Sequence, residues 1–174
     1  GTIKDNSTVA NGGGVAVMSD SVANTYGTFN LYGGDINGNS ATYGYGGGIY
    51  VSGNSTVSGH VNITSGTIGS STANSAVNGD GVYVKYGTFT ISPDAIVSFG
   101  SSDVVYLCED KTITIGNSAL STYVAANSLK VKCEDAGNGR IVATSATSGD
   151  QNCFAYDGGG YTIGFDEGDI YLIQ

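Results

Sequence analysis

The stretch that decides the fold runs from residue 33 to residue 51 and reads Gly33-Gly-Asp-Ile-Asn-Gly-Asn-Ser-Ala-Thr-Tyr-Gly-Tyr-Gly-Gly-Gly-Ile-Tyr-Val51. It predicts a short strand around Ile36, a glycine-rich corner and a second strand. In that second strand Ile49 and Val51 face one way and Tyr50 faces the other. Because the same pattern recurs along the chain, the sequence indicates a repeat protein.

Three strand types recur from one repeat to the next. The first type carries the apolar pairs Phe29/Leu31, Val61/Ile63, Phe89/Ile91 and Ile113/Ile115. The second type carries Ile36, Ile68 and Ile96, each seven residues after the first apolar residue of the preceding strand. The third type carries Val15/Val17, Ile49/Val51, Val82/Val84, Val105/Leu107 and Leu129/Val131.

These repeats predict an all-β fold. The segments are rich in Val, Ile, Thr and Tyr, are interrupted by glycine and alternate with period two, which excludes helices. Three strands per repeat of roughly 23 to 34 residues favour a right-handed parallel β-helix, a solenoid of about five rungs stacked about 4.8 Å apart. Long loops are expected at residues 37–46 and 69–79, on one edge of the stack.

Residues 1–174 are interpreted as a single β-helix domain, with rungs over about residues 1–135 and a C-terminal cap over about residues 136–174. The cap is expected to include an antiparallel hairpin, since an open parallel edge invites association. Because the chain starts within a repeat, we expect it to be a segment of a longer protein.

The composition excludes several classes of partner. Six basic residues against 15 acidic ones leave a net charge of −9, and a chain without a basic face is not expected to bind nucleic acid. No apolar run reaches the roughly 18 residues needed to cross a bilayer, so no membrane insertion by this segment is expected.

The 29 glycines occur with one proline and 40% hydrophobic residues, which favours ordered corners over a flexible linker.

The pattern Gly-Thr-Phe-x-Leu-x-Gly-Gly-x-Ile-x-Gly-Asn-x-Ala, followed by Gly-Gly-Gly-Ile-Tyr-Val, resembles the β-helical repeats of adhesin-like surface proteins from gut and related bacteria. It is more distantly similar to the Gly-Gly-x-Ile repeats of chlamydial polymorphic outer-membrane proteins. The match is best over residues 27–51 and is recognisable over residues 1–107; Gly66-Thr67-Ile68 and Pro93-Asp94-Ala95-Ile96 depart from it.

The resemblance implies a non-catalytic, adhesin-like structural or binding segment at the extracellular surface of a bacterial cell. The implied partner is a host or matrix glycan or protein, or a neighbouring solenoid. No cofactor is implied.

An enzyme is the alternative, because β-helix polysaccharide lyases and glycoside hydrolases use acidic pairs as acid and base. Asp80 and Asp103, near the starts of third-type strands in successive rungs, are the one tempting pair. Both also suit turns in which the side chain bonds its own backbone, and we expect no catalytic residue. His60, between Gly59 and Val61, is expected to be a surface side chain.

Two further features leave alternatives open. Cys108 and Cys133 either stack as a disulfide or remain buried thiols, and the chain's single His and unevenly placed Cys residues indicate no metal site. An ice-binding solenoid is a further alternative, but the Thr-x-Thr ranks needed for it are irregular, as at Thr88/Thr90 and Thr112/Thr114.

Tyrosines at the centre of consecutive third-type strands form the candidate binding site. The residues are Tyr50, Tyr83 and Tyr106, flanked by Ala16 and Lys130, with Tyr171 expected to rejoin them at the cap. With their neighbours inward, the rings are expected to face outward in one rank. Such a strip is interpreted either as structural stacking or as the docking site of a glycan or a partner solenoid.

Overall fold

The computed structural model describes residues 1–20, 24–54, 56–69, 71–116, 120–126 and 128–174. The first half contains the strands β1 (Thr2–Lys4), β2 (Ser7–Thr8), β3 (Val15–Val17), β4 (Ser19–Asp20), β5 (Thr25–Tyr26), β6 (Thr28–Asn37), β7 (Ser40–Ala41), β8 (Ile49–Val51), β9 (His60–Ile68), β10 (Ser75–Ala76) and β11 (Val82–Val84). The second half contains β12 (Thr88–Ile91), β13 (Val97–Phe99), β14 (Val105–Leu107), β15 (Ile113–Ile115), the short helix α1 (Leu120–Tyr123), β16 (Leu129–Cys133), β17 (Ile141–Thr144), a 3-10 turn (Asp150–Cys153), β18 (Phe154–Tyr156), β19 (Thr162–Asp166) and β20 (Asp169–Ile173).

Three stacked parallel sheets form a β-solenoid of about four turns, so the predicted parallel β-helix is confirmed, with about one rung fewer than expected. The first sheet has the order β1-β6-β9-β12-β15-β17 and is extended by β20 and β19. The second is β10-β7-β2 and the third is β18-β16-β14-β11-β8-β3. One turn therefore passes from β6 through β7 to β8, and the next from β9 through β10 to β11.

The interior contains the aliphatic ladders that the repeats predict. Val61 is paired with Phe29 on one side and with Phe89 on the other, and Phe89 is paired in turn with Ile113. In the third sheet Val82 lies between Ile49 and Val105. The side chains of Val61, Phe89, Ile113, Ile49, Val82 and Val105 are all fully buried, because no single turn can cover its own apolar face.

The first and second strand types are continuous in two turns. β6 spans ten residues and β9 spans nine, each containing both predicted strands. Gly34 (φ 97°) and Gly66 (φ 113°) lie at the bend within them, in the left-handed region that residues with a side chain rarely adopt. Ile36 and Ile68 pair across these strands, as expected.

The expectation that Ile96 continues this ladder is wrong. Phe99 pairs with Ile68, while Ile96 lies outside with 71% of its surface exposed. Ile91 and Phe99 are eight residues apart, whereas their partners Ile63 and Ile68 are five apart. The extra residues form a corner around Pro93, which has a fixed φ and no N–H for the ladder.

The last third-type strand is shifted by two residues from its predicted register. Val105 pairs with Val131, and Leu107 pairs with Cys133, whereas Leu129 pairs with Phe154 of β18. A slip of two residues keeps the same side chains inward, so apolar alternation alone does not distinguish the two registers. Cys133 pairs with Leu107, one position from Cys108, and the three cysteines are free.

Both predicted loops contain ordered strands. β7 lies within residues 37–46 and β10 within residues 69–79, and both stack in the second sheet. Directly before these strands Asn6, Asn39 and Asn74 form a continuous column that ends at Asp103, here called the asparagine ladder. Each residue after Asn6 accepts a side-chain hydrogen bond from the one before it. Hydrogen bonding therefore fixes segments that the sequence presents as loops.

The asparagine ladder explains part of the glycine motif that precedes the third strand. A Cβ atom at Gly48 would lie 2.5 Å from the carbonyl oxygen of Gly81 and 3.2 Å from the side-chain nitrogen of Asn74. Since real Cβ atoms essentially never approach the backbone so closely, this position needs glycine because the next turn lies against it, and the ladder amide is the second close contact.

Replacing Asn39 by Ala is expected to lower the free energy of unfolding by about 1 to 3 kcal/mol, because buried polar groups would lose their partners. Asn39 is fully buried, accepts from the Asn6 side chain at 2.9 Å and donates to the carbonyl oxygen of Ile3 at 2.9 Å. Urea unfolding measures the change. Asn30→Ala, at an exposed position on the first sheet, is the control and should change stability by less than about 0.5 kcal/mol.

The C-terminal end carries the expected antiparallel hairpin. β19 and β20 pair with each other, and β20 pairs antiparallel to β17. Parallel pairing continues beyond residue 135, since β17 stacks on β15 and β18 stacks on β16. Among the described residues, no helix has the length and apolar character needed to cross a lipid bilayer.

Candidate functional site

The tyrosines of the third sheet form the predicted rank. Tyr83 pairs in register with Tyr50 on one side and Tyr106 on the other. Their rings are nearly parallel: the Tyr50 and Tyr83 centroids are 5.8 Å apart at 19°, and the Tyr83 and Tyr106 centroids are 5.1 Å apart at 5°. Such offset stacks each contribute on the order of 0.5 to 1.5 kcal/mol beyond the area they bury.

The rank is not the open strip that was expected. Only 4% of Tyr50 and 6% of Tyr83 is exposed, and Tyr106 is half-buried. Tyr45, in the segment between β7 and β8, stacks on Tyr83 with the ring centroids 4.6 Å apart. Together with Cys108 these residues form a small apolar cluster outside the main core. The segment that contains Tyr45 therefore covers part of the tyrosine rank, and ring stacking on Tyr83 stabilises this contact.

The flanks of the rank are partly as expected. Ala16 pairs with Tyr50, as predicted. Lys132, not Lys130, pairs with Tyr106, which follows from the two-residue shift of β16. Tyr171 does not rejoin the rank: it lies in β20 of the first sheet, where its strand is held by the antiparallel hairpin.

Burial also sets the chemistry of the tyrosine cluster. It raises the pKa of the Cys108 thiol to about 11 and, together with a hydrogen bond to that thiol, raises the pKa of Tyr83 far above its ordinary value. Both groups are therefore neutral at pH 7. The thiol is not in the reactive thiolate form, so this cluster acts through shape and stacking.

An open cleft of about 570 Å³ lies directly beside the tyrosine cluster, and is here called the tyrosine cleft. Tyr83 and Cys108 contribute to its wall on the cluster side. The rest of its lining is formed by Tyr45, Tyr86, Lys85, Lys111, Glu109, Asp110 and Glu134. The cleft therefore combines aromatic surface with charged hydrogen-bonding groups.

Tyr86 is the accessible aromatic side chain of this cleft, with 41% of its surface exposed. The Lys85 ammonium lies 5.8 Å from the centroid of its ring. Among the described residues, the ion pairs within 4.0 Å are Lys4–Asp5 and Arg140–Asp135. The charges of the cleft therefore form no such pair with one another and can contact a ligand.

The Asp80 and Asp103 carboxyls do not line the tyrosine cleft. Asp103 is fully buried in the asparagine ladder, where its Oδ1 accepts from the Asn74 side chain at 2.6 Å. Asp80 accepts from the backbone N–H of Ala76 at 2.7 Å, the turn role that was expected. Because Asp103 is buried, a polymer substrate has no access to it, and Asp80 and Asp103 do not form an accessible acid–base pair.

The outer face of the first sheet holds His60 and the threonine ranks. His60 Nδ1 lies 2.8 Å from the Thr88 hydroxyl, and Asn62 donates to Asn30 at 2.8 Å. Tyr26 packs edge-on against the His60 ring, with the centroids 4.9 Å apart. On this face the Thr88 hydroxyl is thus next to the His60 ring and Asn30 is bonded to Asn62, so the residues around Thr88 do not form a uniform threonine rank.

Within the described part of the chain, no group of three or more His, Cys, Asp or Glu side chains is placed to hold a metal ion. Sequence reasoning identified Tyr83, but missed Tyr45 and Tyr86. Tyr45 lies between glycines in a segment without alternation, and Tyr86 follows β11 at a turn, so strand periodicity gives no signal for either.

Comparison of the chain with protein-family models, with curated proteins and with solved structures gave no match.

Proposed function

We propose that this chain is a non-catalytic, adhesin-like segment of a bacterial cell-surface protein, and that it binds a host or matrix glycan in the tyrosine cleft. The single observation that carries the proposal is the cleft itself, which is lined by the accessible ring of Tyr86, by the half-buried Tyr45 and by charges that form no ion pair with one another. Ligand sites typically combine aromatic lining with a few polar groups that orient the ligand.

A glycan is the ligand class that suits this lining. Sugar rings present C–H faces that pack on aromatic rings, and hydroxyls that bond to charged side chains with stronger than average hydrogen bonds. Lys85 and Lys111 supply donors, and the carboxylates of Glu109, Asp110 and Glu134 supply acceptors. The cleft's aromatic wall is rigid, because Tyr83 is stacked on three other rings, and a preformed wall lowers the entropy cost of binding.

The solenoid supports a location at the cell surface through its shape and composition. A stack of parallel rungs extends by about 4.8 Å for each turn, so it suits a spacer that holds a binding cleft away from a cell. Only 12% of the residues are charged, which leaves a largely neutral surface of hydroxyl and amide groups. Antibody labelling of intact and lysed source cells tests this location directly.

Glycan-array screening of the whole chain tests the binding proposal, followed by calorimetric titration with the oligosaccharide that the array identifies. Tyr86→Ala should weaken binding at least about tenfold, which corresponds to 1.4 kcal/mol. The variant is expected to fold, because Tyr86 is 41% exposed.

Tyr32→Ala is the matched control, since Tyr32 is 76% exposed and belongs to the first sheet. Equal binding by the two variants, or no glycan bound by the parent chain, contradicts the proposal. Triple replacement of Tyr50, Tyr83 and Tyr106 is unsuitable as a test, because two of those rings are buried and their loss would destabilise the fold.

A further inference from the structure

The asparagine ladder has a repeated hydrogen-bond pattern that ends on a carboxyl group. Asn39 accepts from the backbone and side-chain nitrogens of Asn6, and Asn74 accepts in the same way from Asn39. Asp103 then accepts from the backbone and side-chain nitrogens of Asn74, at 3.1 and 2.6 Å. Asp103 is thus the last member of the ladder among the described residues.

Each interior asparagine also donates to a main-chain carbonyl of the preceding turn. The side-chain nitrogen of Asn39 donates to the carbonyl oxygen of Ile3 at 2.9 Å, and that of Asn74 donates to the carbonyl oxygen of Ile36 at 3.0 Å. Ile3, Ile36 and Ile68 pair in register through the first sheet. The next carbonyl in this series is therefore that of Ile68, and the next donor position is occupied by Asp103.

The second oxygen of Asp103 stands where an asparagine would have its donor nitrogen. Oδ2 is buried and has no hydrogen-bond partner. It lies against Gly69, the residue after Ile68, and against Gly100, whose N–H donates to the Ile68 carbonyl at 2.7 Å. A Cβ atom at Gly69 would overlap the Asp103 carboxyl. If the carboxyl were ionised, Oδ2 of Asp103 and the carbonyl oxygen of Ile68 would both be acceptors, with no donor between them.

We propose that Asp103 binds a proton in the folded protein at neutral pH, and that its Oδ2–H donates to the Ile68 carbonyl in place of the asparagine amide. The buried carboxyl is thereby a built-in proton site that completes the ladder. When the proton leaves, the column loses its last donor, and a negative charge is left in a fully buried position.

The groups around Asp103 favour the neutral form. Asn74, Gly69, Gly81 and Gly100 pack against it and carry no charge. The titratable group that acts on it is the Asp80 carboxyl, which is negative when ionised. Burial first, and repulsion by Asp80 in addition, raise the pKa of Asp103 despite the hydrogen bonds from Asn74 that favour the ionised form.

A raised pKa in the folded state has a defined effect on stability. The folded protein holds the proton more tightly than the unfolded chain, so the stabilisation is fully present below the unfolded pKa, about 3.9 for Asp. It is lost as pH rises through the folded pKa. Between the unfolded pKa and the folded pKa, the unfolding equilibrium constant should increase by up to about tenfold for each pH unit.

Infrared difference spectroscopy of the folded chain tests the protonation state directly. With ¹³C-carboxyl-labelled aspartate, a protonated-acid carbonyl band that shifts with the label should be present at pH 7. The band from Asp103 should disappear in Asp103→Asn and survive in Asp80→Asn. Absence of any protonated-aspartate band at pH 7, or its survival in Asp103→Asn, overturns the proposal.

Urea unfolding between pH 5 and pH 9 gives a second readout. Asp103→Asn restores an amide donor to the ladder, so its unfolding midpoint should rise relative to the parent chain as pH increases. Asp94→Asn, at an exposed corner, should follow the parent at every pH. A constant difference in unfolding midpoint between Asp103→Asn and the parent chain across this range overturns the proposal. If the variant does not fold, the infrared result on the unmutated chain decides the question.

Discussion

Ile68→Ala is expected to lower the free energy of unfolding by about 2 to 5 kcal/mol, one of the two largest single-residue effects that we predict for this chain. Ile68 has 1% of its surface exposed and lies between Ile36 and Phe99 in consecutive turns of the first sheet. Truncation leaves a cavity between stacked rungs, and hydrogen-bonded strands on either side limit the collapse that would fill it.

Ile96→Ala is the matched control, because the same methyl groups are removed from a side chain that is 71% exposed. Its effect should remain within about 0.5 kcal/mol. Urea unfolding followed by circular dichroism measures both changes. Equal losses in the two variants would show that the Pro93 corner packs Ile96 inward, contrary to the register found here.

Arg140→Ala is expected to lower the free energy of unfolding by about 3 kcal/mol, since it removes a mostly buried guanidinium and leaves a partly buried carboxylate and several carbonyl groups without their donor. The Arg140 side chain is 10% exposed, and its Nε donates to Asp135 Oδ1 at 2.7 Å. Its Nη2 donates to the carbonyl oxygens of Cys108 and Lys111 at 3.1 and 2.9 Å, and its Nη1 donates to that of Ile141. One guanidinium thus joins the C-terminal region to the preceding turn.

Arg140→Lys should recover less than half of that loss, because an ammonium cannot reproduce the planar set of donors. Thermal unfolding by calorimetry, with Lys132→Ala as an exposed control, measures the difference. A Lys variant as stable as the parent would show that charge alone, and not the fork geometry, holds the two turns together.

The same ion pair predicts a loss of stability in acid. Burial alone would raise the pKa of Asp135, but the hydrogen bond and charge of Arg140 hold it below its ordinary value. A lowered folded-state pKa gives stabilisation that is present above the unfolded pKa of about 3.9 and is lost as pH falls through the folded value. Arg140→Ala should show less of this acid dependence, in the opposite sense to the alkaline dependence expected from Asp103.

The third sheet carries both buried, stacked tyrosines and an accessible aromatic cleft beside them. The three central rings stabilise the stack, as the structural interpretation of the sequence expects, while the accessible surface lies beside them in the tyrosine cleft. The stacking role belongs to Tyr50 and Tyr83, whereas the ligand contact that we propose involves Tyr86, a different tyrosine.

The sequence by itself determined the first and third strand types, their inward faces and the solenoid class. Phe29, Val61, Phe89 and Ile113 were aligned correctly from period-two alternation, because each turn must bury the same face against the next. The alignment of Tyr50, Tyr83 and Tyr106 followed for the same reason, since their flanking residues share one pattern.

Only the tertiary structure decided the corners, the register of β16 and the exposure of the rings. A corner such as the one at Pro93 changes the residue count without changing the apolar alternation, and a two-residue slip leaves every side chain on its own face. The stacking of Tyr45 on Tyr83 and the column from Asn6 to Asp103 join residues about 30 or more positions apart. Such contacts depend on how whole turns stack, and local propensity carries no information about them.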